Sequence, residues 1–98
     1  MNRDEVLQQL REHELELRSL GVLRLSLFGS MARDEARADS DVDLLAAFDE
    51  ARHLSLLDLL SIERRISGWM GRPVDLMEEG YLRQRVQAEV GEQAVCAF

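Results

Sequence analysis

Ninety-eight residues, 46% of them apolar, are enough for one small core, so residues 1–98 are read as a single domain. The formal charge is −7, and all 12 basic residues are arginine. With no lysine, a P-loop and a lysine Schiff base are excluded, and so acidic a chain is a poor ligand for duplex nucleic acid. The one cysteine, Cys96, leaves no internal disulfide and no cysteine-based zinc site. No apolar run approaches the ~20 residues needed to span a bilayer, so a cytoplasmic protein is expected.

Taken in order, residues 3–20 have helical spacing in Val6, Leu7, Leu10, Leu17 and Leu20, with Asn2 or Asp4 as cap and Gly21 as stop. Leu15 fits that spacing less well. His13 lies among Glu12, Glu14 and Glu16 and reads as a solvated side chain. Residues 22–28 alternate as a strand whose Leu23, Leu25 and Leu27 face the core. Gly29 breaks the strand, and Ser30 opens a short helix to about Glu35. A polar loop over 36–40 leads into a second strand at 41–48. A long helix then runs from Leu54 or Ser55 to Trp69 or Met70, with Ser55 or Asp58 near its cap. Gly71 and Pro73 end it. Val74–Met77 is a third strand, Glu78-Glu79-Gly80 a turn and 81–90 a last helix. Residues 94–98 fit either an edge strand or a continued helix. The order implies an α/β (α+β) fold, a small mixed sheet flanked by helices.

The chemistry concentrates at two places. Asp41 and Asp43 are two apart in a strand, so both leave one face. Two carboxylates in an otherwise apolar strand repel unless a cation lies between them. Hard oxygen donors without histidine or cysteine favour Mg²⁺, which takes its remaining ligands from water and phosphates. Gly29-Ser30 offers the phosphate site: a close backbone approach, free N–H groups at a helix start, and a hydroxyl. Arg33, three residues on, reaches the same phosphates or braces the loop. Asp75, the only acid expected within the third strand, is the candidate third carboxylate if that strand neighbours the second.

Gly29-Ser30, ten residues, then Asp41-Val42-Asp43 is similar to the signature of the DNA polymerase β-like nucleotidyltransferase superfamily. Gly29-Ser30-Met31-Ala32-Arg33-Asp34-Glu35 with Ser40-Asp41-Val42-Asp43-Leu44-Leu45 resembles the minimal nucleotidyltransferases (MNT). Relatives often carry glycine where this chain has Asp34. The resemblance implies that Gly29 and Ser30 bind the triphosphate of ATP, that Asp41 and Asp43 hold two Mg²⁺, and that Asp75 is the third acid. It further implies an antitoxin that transfers AMP to a HEPN-domain ribonuclease toxin. Two alternatives stand beside it: an antitoxin that neutralises its partner by binding alone, and a small-molecule nucleotidyltransferase. The docking surface is expected on the leucine-rich 54–70 helix or the C-terminal segment, and a homo-oligomer is left open. Trp69, Tyr81 and Cys96 read as packing residues, and His53 as one that could approach the nucleotide.

Overall fold

The computed structural model describes residues 2–32, 41–79 and 94–98, with Ser30 and Met31 described by their backbone alone. Along the chain run α1 (Arg3–Glu12), α2 (Glu14–Ser19), β1 (Val22–Phe28), α3 (Gly29–Ala32), β2 (Val42–Phe48), a 3-10 turn (Glu50–Arg52), α4 (Leu56–Met70), β3 (Val74–Glu78) and β4 (Val95–Cys96). The expected helix at 81–90, the loop at 36–40 and the end of the helix opened at Ser30 lie outside the described residues.

The four strands form one sheet in the order β3-β2-β1-β4. β1 pairs antiparallel with β2 and β4, while β2 pairs parallel with β3, so the sheet is mixed. Residues 95–96 thus settle as an edge strand. Arg11 holds that strand: its Nε donates to the Ala97 carbonyl at 2.8 Å and its Nη2 to that of Cys96 at 3.2 Å. At the opposite edge, Glu63 of α4 accepts the Leu76 N–H at 2.9 Å, giving an edge-strand amide a partner.

One sheet face is core. Leu25 and Leu27 of β1, Val42, Leu44 and Ala46 of β2 and Val74 of β3 are buried with Val6, Leu10, Leu17, Ile62 and Ile66 of the helices. Each fully buried leucine contributes about 1.5–3 kcal/mol. The core face expected of β1 needs one correction. Leu23 is half exposed and Val22 is buried. Between Val22 and Arg24 the pairing with β2 slips by a residue, since Val22 faces Phe48 and Arg24 faces Ala47. The extra residue is a β-bulge, which resets the alternation and turns Val22 inward.

The expected helix over 3–20 is broken at His13. His13 is not simply solvated. Its ring stacks on Trp69 of α4 with centroids 3.7 Å apart and planes within 5°, and its Nδ1 lies 3.5 Å from Glu16. The stack holds the bend between α1 and α2 against α4. Asn2 caps α1 by accepting the Glu5 N–H at 2.9 Å. Cys96, read as a packing residue, has an exposed thiol instead. β3 extends one residue beyond its expected end and takes in Glu78, so Asp75 is not its only acid.

α4 carries its own start and stop. Ser55 Oγ accepts the Asp58 N–H at 3.2 Å, and Asp58 Oδ2 accepts the Ser55 N–H at 2.8 Å, a capping box. That backbone N–H, followed by the Ser55 hydroxyl, holds the Asp58 carboxyl below its ordinary range. Gly71 ends the helix at φ 65°, where a side chain would be strained. Ser55→Ala is expected to cost about 1 kcal/mol. For a chain of this size that lowers Tm by about 4–8 °C, checked by thermal circular dichroism.

Candidate active site

The opposite face of the sheet carries the acids. In register, Phe28 of β1 lies opposite Asp43 of β2, and Asp43 lies opposite Asp75 of β3. Residues directly opposite share a face, and neighbouring strands lie about 4.8 Å apart, so the three side chains form one row across the sheet. Asp41, exposed, immediately precedes β2. With a two-residue period it is aimed to the same side as Asp43. The condition attached to Asp75, that its strand neighbour the second, holds: β3 is the strand next to β2, and no slip separates the two acids.

Electrostatics joins the three carboxylates. Burial pushes the Asp43 carboxyl above its ordinary range, and the charges of Asp75 and then Asp41 push it further. Like charges this close disfavour ionisation unless a cation offsets them. The donor set is carboxylate oxygen, suited to Mg²⁺ or Mn²⁺ rather than to softer metals. Among the described residues no group of three or more acidic, histidine or cysteine side chains forms a ready-made metal cage. Mg²⁺ does not require one, because it binds through one or two carboxylates and fills its shell with water and substrate phosphate.

Gly29 explains its own identity. Its φ is 77°, in the left-handed region, and a Cβ built there would stand 2.6 Å from Asp43 Oδ2. The turn after β1 and the carboxylate of β2 occupy adjoining space, so a side chain at residue 29 is excluded twice over. α3 begins at this turn. Its first N–H groups have no partner within the helix, which is the property an anion site needs. Arg3 Nη1 donates to the Ala32 carbonyl at 3.3 Å and ties the far end of α3 to α1. Nothing in the sequence pattern singles Arg3 out for that task. Arg33 and the Ser30 side chain lie outside the described residues.

His53 is not brought to this site. It follows Phe48, the last residue of β2, and Asp43 and Phe48 are five residues apart, about 16 Å at roughly 3.3 Å per residue. At that far end His53 lines a separate notch with Phe48, Asp49, Leu59 and Glu78. Among the described residues no helix is long and apolar enough to cross a membrane.

Residues 8–95 match the family described as the nucleotidyltransferase domain. The protein adenylyltransferase MntA of Thermococcus cleftensis is 36% identical over 93 residues, covering 94% of this chain and 92% of the relative. A solved structure described as a minimal nucleotidyltransferase is 40% identical, with a TM-score of 0.78 over 97% of this chain and 95% of that one. A toxin–antitoxin crystal structure with AMP-PNP shares the fold at 18% identity, with a TM-score of 0.67 over 100% of this chain and 73% of that one. With the family match spanning nearly the whole chain and the fold shared with a solved minimal nucleotidyltransferase at 40% identity, the chain belongs to the nucleotidyltransferase domain family, among its minimal nucleotidyltransferases.

Proposed function

We propose that the chain is a magnesium-dependent protein adenylyltransferase, an antitoxin that moves AMP from ATP onto a HEPN-domain ribonuclease toxin. The observation that carries this reading is the register of Asp43 with Asp75, with the Gly29 turn set against the Asp43 carboxylate. The naming of the Thermococcus relative as a protein adenylyltransferase supports the acceptor class. A toxin partner is supported by the presence of this fold in toxin–antitoxin structures.

In this reading Asp41, Asp43 and Asp75 hold Mg²⁺, two ions in all. Bound there, the ions supply charge stabilisation to the attacking and leaving oxygens. Gly29 and Ser30 bind the triphosphate through backbone N–H groups and the serine hydroxyl, and Arg33 neutralises part of its charge. The acceptor hydroxyl oxygen bonds to the α-phosphorus while the bond to the β-phosphate bridging oxygen breaks, and pyrophosphate leaves. Asp75 takes the hydroxyl proton: it lies on the edge strand β3, is exposed, and is open to an incoming protein side chain.

The site demands that nucleotide and metal bind together, because each completes the other's coordination. ATP with Mg²⁺ is therefore expected to raise Tm more than either alone. Near a hundredfold excess over Kd the gain is about 2.7 kcal/mol, or about 10 °C and more for a chain of this length. Thermal unfolding in the four buffers checks this. No shift with any nucleoside triphosphate would place the chain with antitoxins that act by binding alone.

A further inference from the structure

α4 has two unlike faces. Ile62, Ile66 and Met70 are buried, whereas Leu56, Leu57 and Leu60 are 72%, 77% and 41% exposed. The exposed side continues through Ser61, Arg64 and Gly68. Leu57, Ser61, Arg64 and Gly68 follow one another in steps of four, three and four, the spacing of a helix–helix seam. Gly68 is the unexpected member. Glycine in a helix interior weakens the helix, and among the described residues a Cβ at residue 68 would meet nothing within 4 Å beyond its own helix. No packing among the described residues accounts for it.

We propose that this face of α4 pairs with the same face of a second copy of the chain, antiparallel about a two-fold axis near residues 62 and 63. In that arrangement Leu57 of each copy lies opposite Gly68 of the other, and the missing side chain makes room for the leucine. Ser61 lies opposite Arg64. Asp58, at the start of one helix, comes beside Arg64 and Arg65 of the other, so opposite charges flank the seam at both ends. Arg64 has no ion partner of its own among the described residues, and Arg65 reaches Glu16 at 2.8 Å. A parallel pairing would set leucine on leucine, glycine on glycine and Arg64 on Arg64, losing both kinds of complementarity. The patch holds two arginines and one aspartate, so the acidity of the whole chain is not concentrated there. The seam is independent of the acid row and does not rest on AMP transfer.

Sedimentation equilibrium of the full chain over a wide concentration range tests this. The expected species has about twice the 11.2 kDa of the chain. Leu57→Glu buries a charge in the seam and is expected to return the chain to the monomer mass. Gly68→Leu fills the space reserved for Leu57 of the other copy and is expected to do the same. Both positions are exposed, so the far-ultraviolet circular dichroism of each variant should match that of the wild type. A wild type that sediments at 11.2 kDa throughout, or a dimer that survives both substitutions, overturns the proposal. A monomer whose Leu57→Glu variant no longer binds the toxin overturns it too, and assigns the leucines to that partner.

Discussion

Asp43→Asn is expected to abolish AMP transfer and yet, without magnesium, to unfold a few degrees above the wild type. The two effects have one origin. Asp43 sits between Asp75, opposite it in β3, and Asp41, two residues before it, and is partly buried. In the proposed function a divalent ion relieves this crowding, and without one the crowding destabilises the fold. In the proposed reaction, removing the charge would forfeit several kcal/mol of charge stabilisation in the transition state, at least about a thousandfold in rate. The pH dependence follows from the direction of the shift. A carboxyl whose folded-state pKa lies above its unfolded value binds its proton more tightly in the folded chain. Its contribution to stability is present at low pH and is lost as pH rises through the raised value. Asp43→Asn should therefore gain on the wild type at neutral pH and show no gain in acid. Thermal melts with a chelator at the two pH values check this, and a lower Tm for the variant at neutral pH would contradict it.

Gly29→Ala is expected to damage both stability and activity. A left-handed backbone at an alanine costs about 1–2 kcal/mol, or about 4–16 °C in Tm for a chain of this size. The new methyl would also stand 2.6 Å from Asp43 Oδ2, so the carboxylate must move away from its partners in the row. Transfer should fall with it, even in conditions where the variant is fully folded. The two causes separate in a double-mutant cycle. With Asp43→Ala already present, Gly29→Ala should retain only the backbone cost, and the loss in Tm should be smaller than in the wild-type background. Equal losses in both backgrounds would mean that the turn and the carboxylate do not share space.

What the sequence makes legible follows from how local each cause is. Alternation in residues 22–28 and the largely apolar run in 41–48 identify the strands, and the Ser55–Asp58 box and Gly71 fix the ends of α4, because those signals act within a few residues. The Gly29 turn and the Asp41–Asp43 pair are legible for the same reason. Asp75 was readable only conditionally, since its place beside Asp43 depends on strand order. The bulge at Leu23 comes from the pairing of β1 with β2, which no pattern within β1 encodes. The bend at His13 goes with a ring on Trp69, 56 residues further on, and a window over residues 3–20 sees only charges around that histidine. His53 does not meet the expectation that it could approach the nucleotide, for a related reason. It follows the acid strand closely in sequence, but a strand carries the chain away from its own beginning. Arg3 escapes notice because its acceptor is a backbone carbonyl, and any residue could supply one.

The most direct measurement is the intact mass of both proteins after the chain is mixed with the proposed toxin partner, ATP and Mg²⁺. The expected result is a gain on the partner of one or more AMP units, absent when the chain carries Asp41→Asn with Asp43→Asn. A partner of unchanged mass, held in a stable complex and still inhibited, would contradict protein adenylylation and leave binding as the means of neutralisation.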